Sequence, residues 1–516
     1  MTASTSPSGP IRVISPIDGK LVGEAPDLGP AAVDAAFQAA RDAAPGWAVL
    51  SIRERSEALK RWRDAVLDDS RLIELLVRES GKPRHEAEGV EILYFCELIR
   101  FTCGAAKKAL KTEIRRPFLF QTKRTFLVRK PLGVVGVIGP WNFPVLNNGA
   151  DAVAPLMAGN AVILKPSEIT PLTSVRLGEL WKEAGNPAGV LQVVTGRGAT
   201  GARVTDLVDG VIFTGSVATG RKVAARCGER LVPCVAELGG KSPFVVLAGA
   251  DLDRAARAAA WSSFVHSGQV CIRTERILVE ESVADEFEKR FLERVQALRQ
   301  MRSSQDLAQE HDLGCVTFPH QLEVVNRQIE DAVNKGGRVL AGGKTRPDLG
   351  GQFFAPTVIG GARPDMEMFR EETFGPLVGI MRVRSEEEAL SVANDSHLGL
   401  NATVFGPARK ARAFADRLQT GNAIVNDVLV NYLVVEAPLG GVKASGIGVR
   451  HGAESIRQWT RTESVTVPFA PLAPVGNFLA SKLAFPYDRR VLALLRRSMR
   501  VLYGRGLKRK FGPLPG

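Results

Sequence analysis

Apolar positions along the chain recur in two rhythms. Over 31–46, 51–79 and 84–110 alanines and leucines return every three or four residues with charges between them, which predicts amphipathic helices. From Gly133 the rhythm changes to short apolar runs separated by helical stretches. Val-Val-Gly-Val-Ile at 134–138, Ala-Val-Ile-Leu at 161–164, Val-Leu-Gln-Val-Val at 190–194 and Gly-Val-Ile-Phe at 210–213 predict buried strands. Helices are predicted at 145–158 and 172–184, after residue 194, and from Ser216. A second run starts with Pro-Phe-Val-Val-Leu at 243–247. It continues with helices at 252–266, 283–299, 319–336 and 386–395 and strands near 276–280, 337–340 and 402–405. Strands alternating with helices predict parallel, doubly wound α/β sheets, which bind ligands at the carboxyl ends of their strands. Two stretches stand outside the alternation. Residues 11–25, around a Pro-Ile-Asp-Gly turn at 16–19, read as a pair of short strands, and 113–129 reads as a basic, β-rich extended arm. A strand-like segment at 464–467 ends the body, and Pro468, Pro471 and Pro474 are expected to mark a linker.

Composition changes little in this picture except at the tail. The chain has 516 residues, 45% hydrophobic and 24% charged, enough for several domains around a large core. Its net charge is +13, but residues 471–516 hold ten Lys and Arg against one acid, Asp488, so the basic character belongs mostly to the tail. Residues 489–502 place Val491, Leu494, Leu495, Met499 and Leu502 on one helical side and Arg489, Arg496, Arg497 and Arg500 on the other. Such a basic amphipathic helix is long enough to lie on a membrane and too short to cross it; the other reading packs its apolar face on the protein's own oligomer. Phe478, Phe485, Tyr487, Tyr503 and Phe511 are few aromatics for nucleic-acid stacking, so no nucleic-acid partner is expected. Six widely spaced cysteines form no CxxC pair and six histidines no ligand spacing, so neither a disulfide scaffold nor a metal site is expected. Residues 1–10 lack the basic and apolar regions of a signal peptide, and no apolar run reaches the ~18 residues a spanning helix needs. The expected location is cytoplasmic, with the tail as a peripheral membrane contact in one reading.

Candidate chemistry gathers in Gly- and Pro-punctuated loops. The stretch 264–271, Phe-Val-His-Ser-Gly-Gln-Val-Cys, ends a helix at Ser267-Gly268 and delivers Cys271 to a loop, as a nucleophile or a buried structural thiol. Pro-Trp-Asn-Phe-Pro at 140–144 follows a strand, where the Asn142 amide could meet a developing oxyanion or merely cap a turn. Lys-Pro-Ser-Glu at 165–168 follows the next strand; a ribose contact and a solvated helix start both suit it. Gly-Arg-Gly-Ala-Thr-Gly at 196–201 matches the dinucleotide fingerprint, but no acid ends the following strand. Phe-Thr-Gly-Ser at 213–216 puts hydroxyl and N–H groups at a helix start, a phosphate-binding arrangement. Glu237, beside Gly239 and Gly240, is a general base or a turn-flanking acid.

The ordered set at 140–144, 165–168, 213–216, 237–241, 264–271, 371–376 and 438–443 resembles the NAD(P)-dependent aldehyde dehydrogenase superfamily, from about residue 11 to 468. The resemblance implies Cys271 as nucleophile, Asn142 with the Cys271 N–H as oxyanion hole, and Glu237 as base. It implies Trp141, Lys165, Glu168, Gly215, Ser216, Glu372 and Phe374 as cofactor contacts, Asn426 near the substrate, and 196–201 as a partial decoy. The implied fold is two doubly wound parallel α/β domains with a protruding β oligomerisation arm. The dinucleotide-binding domain would take 11–112 and 130–239, the catalytic domain 240–445, the arm 113–129 and 446–469, and the basic tail 470–516. A homodimer or tetramer is implied. Leu439, where the family often has Phe, and Val449-Arg450-His451-Gly452, where it often has Arg-Glu-x-Gly, depart from the pattern.

The expected reaction oxidises an aldehyde to its acid through a thiohemiacetal and thioester on Cys271, with NAD preferred over NADP because Glu168 repels a 2′-phosphate. A CoA-acylating dehydrogenase and an inactive scaffold are the competing readings. The motif set loosely resembles succinate-semialdehyde dehydrogenases, whose substrate would use Arg273 if that side chain points into the tunnel, whereas a fatty or aromatic aldehyde would use an apolar wall.

Overall fold

The computed structural model describes residues 9–118, 121–302, 311–486 and 489–512. The expectation for the chain's start, the arm residues Leu119 and Phe120, and Tyr487 and Asp488 of the tail lie outside them. The chain divides into two compact units: the larger runs to Leu110 and resumes over Pro131–Thr460, and the smaller takes Lys111–Lys130 and the chain from Arg461.

Two sheets organise the larger unit. The first runs, edge to edge, Gly446–Ile447, Cys234–Glu237, Gly210–Thr214, Val134–Ile138, Ala161–Lys165 and Leu191–Val193. Every residue of Val134–Ile138, Ala161–Lys165 and Gly210–Thr214 is buried, as parallel strands covered on both faces require. The chain leaves Val134–Ile138 toward Leu191–Val193 and returns on the other side at Gly210–Thr214, so the strand order reverses there and opens a crevice at the carboxyl ends. The second sheet runs Arg338–Ala341, Thr357–Gly360, Leu377–Val383, Arg276–Glu280, Pro243–Val246, Asn401–Phe405 and Asn422–Val425. It is parallel except at Arg338–Ala341.

Local chemistry refines several expected elements. The helix at 51–79 breaks into Ile52–Asp68 and Ser70–Ser80, because the Asp69 side chain accepts from Leu72 N–H and starts a new helix. Wider, π-type turns interrupt the helices at Ala87–Ile92 and Pro144–Gly149. Thr357–Gly360 and Leu377–Val383 are strands that the apolar rhythm did not bring out. Two boundaries are corrected. Gly446–Ile447 pairs with Cys234–Glu237 and the helix Gly452–Arg457 packs on Leu93–Ala109, so 446–460, expected in the arm, belongs to the body. The expected linker is not open chain: Pro471 and Pro474 open short helical segments at Ala470–Leu472 and Ala473–Leu483, positions for which proline's fixed φ is suited.

The smaller unit holds a three-stranded sheet of Glu113–Arg115, Lys123–Pro131 in the centre, and Thr460–Pro468. Thr125 and Thr466 hydroxyls meet at 2.9 Å, and Arg129 donates to the Thr462 hydroxyl at 2.7 Å. The tail forms the helix Arg489–Tyr503, with Leu492, Leu494 and Met499 exposed. Among the described residues no helix is long and apolar enough to cross a membrane.

Candidate active site

The helix Leu252–Phe264 ends in a kink that presents Cys271. His266 (φ 49°) and Ser267 (φ 52°) both take the left-handed conformation, which costs free energy in non-glycine residues. Side chains hold them there. Glu86 Oε1 accepts from His266 N–H at 3.0 Å, and Ser267 Oγ donates to the Gly314 carbonyl at 3.0 Å. Gln269 Nε2 donates to the His266 carbonyl at 2.9 Å, while its Oε1 accepts from Thr317 N–H at 2.8 Å. Gly268 (φ 75°) is required twice over, since a Cβ there would lie 2.2 Å from the Gly375 carbonyl oxygen. On the far side the backbone at Gly240 approaches so closely that a Cβ would lie 2.4 Å from the Cys271 carbonyl oxygen.

Two cavities meet at Cys271. The narrower, about 190 Å³, is lined by Trp141, Asn142, Thr214, Gly215, Ser216, Glu237, Glu372 and Phe374. The wider, about 250 Å³, is lined by aromatic and aliphatic side chains including Tyr94, Phe143, Trp261 and Tyr432. Cys271 and Asn147 line both, and no other cysteine lines either.

Burial sets the electrostatics. Glu237 ends the strand Cys234–Glu237, is 5% exposed, and leaves Oε1 without a hydrogen-bond partner. Loss of water pushes its carboxyl up to about 8. The same cause pushes the Cys271 thiol up to about 12, although both cavities reach it, and the Glu372 carboxyl to about 7. Glu372 Oε1 accepts from Gly240 N–H at 2.8 Å. Asn142 Nδ2 donates to the Gln269 carbonyl at 2.8 Å, which ties it to the loop before Cys271; an amide nitrogen carries two hydrogens, so one is spent. The Asn142 carbonyl accepts from Lys82 Nζ at 2.8 Å, and Lys82 is paired with buried Glu91. Phe374 (φ 49°) is steadied by Glu275, which accepts from the N–H groups of Thr373 and Phe374 at 3.2 Å.

Other sequence candidates fall elsewhere. Lys165 ends the strand next to Val134–Ile138 and Glu168 follows it; the two form a 3.5 Å ion pair outside the narrow cavity. Residues 196–201 form a loop and the start of the helix Gly198–Leu207, and Thr200 Oγ1 donates to the Leu28 carbonyl at 2.9 Å. Asn426 spends both ends of its amide on the Gly406 backbone at 2.9 Å and lines neither cavity. Arg273 does not enter the wider cavity: it is 0% exposed, ion-paired with Glu275 at 2.5 Å, and bonded to the carbonyls of Ser263, Thr274 and Leu377.

Sequence reasoning missed a buried cation between the two cavities. Arg450 donates to Asp151 Oδ2 at 2.7 Å, Asn147 Oδ1 at 2.7 Å, the Tyr432 hydroxyl at 2.7 Å, and the Thr214 hydroxyl. Its charge lowers the pKa of Glu237 and Cys271 against the larger effect of burial, while Asp151 raises that of Glu237. A signal for it was present: Asp151 is the lone charge in the helix Ala150–Ala158, and Arg450 is one of the motif departures. The other departure, Leu439, exchanges both backbone hydrogen bonds with Arg450. Among the described residues no cluster of His, Cys, Asp and Glu could hold a metal ion.

The narrow cavity is placed where a dinucleotide's pyrophosphate and nicotinamide end would lie. It lies at strand carboxyl ends, and Ser216 caps the 13-residue helix Val217–Glu229, whose N-terminal N–H groups suit a pyrophosphate. Comparison with known proteins agrees. The aldehyde dehydrogenase family model matches residues 2–465. A Mycolicibacterium smegmatis protein named "Putative succinate-semialdehyde dehydrogenase", with the qualifier NADP(+), is 41% identical over 437 residues, 84% of each chain. A crystal structure of an aldehyde dehydrogenase from Mycobacterium tuberculosis, complexed with NAD+, is 33% identical with a TM-score of 0.84, covering 90% of this chain and 95% of that one. The structure of an E. coli NADP-dependent enzyme is 32% identical with a TM-score of 0.85, covering 89% and 95%.

Proposed function

Because the chain belongs to the aldehyde dehydrogenase family, we propose that it oxidises an aldehyde to the carboxylic acid with NAD(P), through a thioester on Cys271. The observation that carries this reading is the meeting of a polar cleft at the strand carboxyl ends and an apolar cavity at one thiol, with the unpartnered Glu237 carboxyl lining the same cleft.

Trp141, Gly215, Ser216, Glu372 and Phe374 would hold the dinucleotide, with Lys165 and Glu168 at its adenosine ribose. When bound, the nicotinamide supplies the hydride acceptor. Cys271 gives its proton to Glu237 and Sγ attacks the carbonyl carbon; the π electrons move to oxygen. The resulting alkoxide is held by the Asn142 amide and the Cys271 N–H. Loss of hydride leaves the acyl group on sulfur. Glu237 releases the first proton to solvent and then takes one from water; the hydroxyl oxygen bonds to the acyl carbon, the C–S bond breaks, and the proton on Glu237 passes to the departing thiolate, restoring the Cys271 thiol. Aldehyde, water and NAD(P)+ become acid, NAD(P)H and a proton. Glu168 favours NAD by repelling a 2′-phosphate.

The smaller unit we assign to assembly, its sheet joining subunits of a dimer or tetramer, and the tail's arginines and exposed leucines fit an anionic membrane surface. The test of the central reading is NAD(P)H formation, with the acid identified as product. Cys271→Ala should abolish it and leave the folded protein able to bind NAD. Residual turnover above a few per cent would assign the chemistry to another thiol, and acyl-CoA as sole product would make the enzyme CoA-acylating.

A further inference from the structure

We infer that the wider cavity selects an uncharged, apolar aldehyde, alkyl or aryl, and rejects an aldehyde that carries a carboxylate. The inference rests on the reading of Cys271 as nucleophile and names the substrate class of that site.

The cavity wall is built from Phe143, Leu146, Trp261, Val265, Ile272 and Leu433, with two tyrosines among them. No Lys, Arg or His lines it among the described residues. Both tyrosine hydroxyls are committed to partners. Tyr94 OH meets His451 Nε2 at 2.6 Å, and Tyr432 OH donates to Asn147 Oδ1 at 3.0 Å while accepting from Arg450.

Lys82, Arg273 and Arg450 come near this region; none of them lines the cavity, and each has its charge held by other groups. Lys82 lies 4.1 Å over the Phe143 ring but gives its ammonium to Glu91 and the Asn142 carbonyl. Arg273 is ion-paired with Glu275 and bonded to three carbonyls. Arg450 places both terminal nitrogens on four acceptors, one of them the counter-charge of Asp151. A carboxylate two or three carbons from the reacting carbonyl would therefore lose its water among largely hydrocarbon walls and gain no lining cation. An alkyl chain or aromatic ring in the same place gains by leaving water, and the aromatic walls offer edge and face contacts.

The experiment measures kcat/KM of the full-length enzyme for hexanal, benzaldehyde and succinic semialdehyde, with NAD and with NADP. At least a ~100-fold advantage for the better apolar aldehyde is expected. Succinic semialdehyde within tenfold of it, or above it, would overturn the inference. Binding to Cys271→Ala, followed by thermal shift, separates this from the underlying chemistry. Preference for hexanal there supports the cavity reading even if no aldehyde is turned over by the native enzyme, and equal shifts overturn it. Leu433→Arg supplies the missing cation. Leu433 is 43% exposed, so folding tolerates the change. The variant should raise kcat/KM for succinic semialdehyde by about tenfold relative to hexanal; an unchanged ratio would overturn the account of how the cavity selects.

Discussion

Glu237 is buried, and that burial sets a pH dependence. A base works only when ionised, so turnover limited by thioester hydrolysis should rise with pH through about 8 and level above it. Glu237→Gln should remove that limb and leave a burst of one NADH per active subunit; a steady rate equal to wild type would remove Glu237 from the mechanism. The Asp151–Arg450 pair, each side chain 6% exposed, tunes the same group. Asp151→Asn keeps a hydrogen-bond acceptor but leaves Arg450 without its counter-charge, at a cost of about 3 kcal/mol in stability, read as a lower Tm. Because Asp151 raises the Glu237 pKa and Arg450 lowers it, the variant's pH limb should move to lower pH. A limb that moves up would refute the assigned sign. Cys271 and Glu237 stood out as candidates because each adjoins its own glycine-marked stretch, Gly268 before Cys271 and Gly239-Gly240 after Glu237. The pairing of Asp151 with Arg450 was not legible, since the two members, each marked locally, lie 299 residues apart.

At the scale of elements, the kink after Phe264 decides where the thiol goes. Gly268→Ala places a Cβ 2.2 Å from a carbonyl oxygen at φ 75°, which should cost roughly 3 kcal/mol. It should lower turnover with the circular-dichroism spectrum unchanged. Gly228→Ala is the control: it lies in the helix Val217–Glu229 with nothing within 4 Å of a new Cβ, so a gain of about 0.5–1 kcal/mol is expected. Equal losses for both would mean that the kink is not specially strained. A break near Ser267-Gly268 was readable, because serine and glycine are weak helix formers, and the structure ends the helix just before them at Phe264. The left-handed turn at His266 was not, because its support comes from remote segments, Glu86 lying 180 residues earlier.

At the scale of the molecule, the uneven charge makes the tail a separable question. Full-length protein should co-sediment with anionic vesicles at low salt and release as salt screens the arginines, each basic residue near the surface contributing about 1 kcal/mol. A chain stopped after Pro468 should stay in the supernatant. Equal sedimentation of both, or of neither, would leave self-association as the role of the tail helix.

Sequence alone determined what is written locally. It determined the parallel α/β class, because apolar runs and helical periods are properties of neighbouring residues. It determined the ordered loops that mark the family, because glycines, prolines and a cysteine announce themselves in place. It also determined the amphipathic tail helix. Tertiary structure decided what depends on meeting across distance. The wider cavity collects side chains from 89–94, 143–147, 261–272 and 429–433, and its apolar character follows only once these converge. Arg273, adjacent to the nucleophile loop in sequence, is turned away by Glu275 and three carbonyls, while Arg450, far off, is brought in. Burial, and with it the pKa of Glu237, is likewise a property of the closed sheet and its cover, since desolvation arises only when remote segments exclude water together.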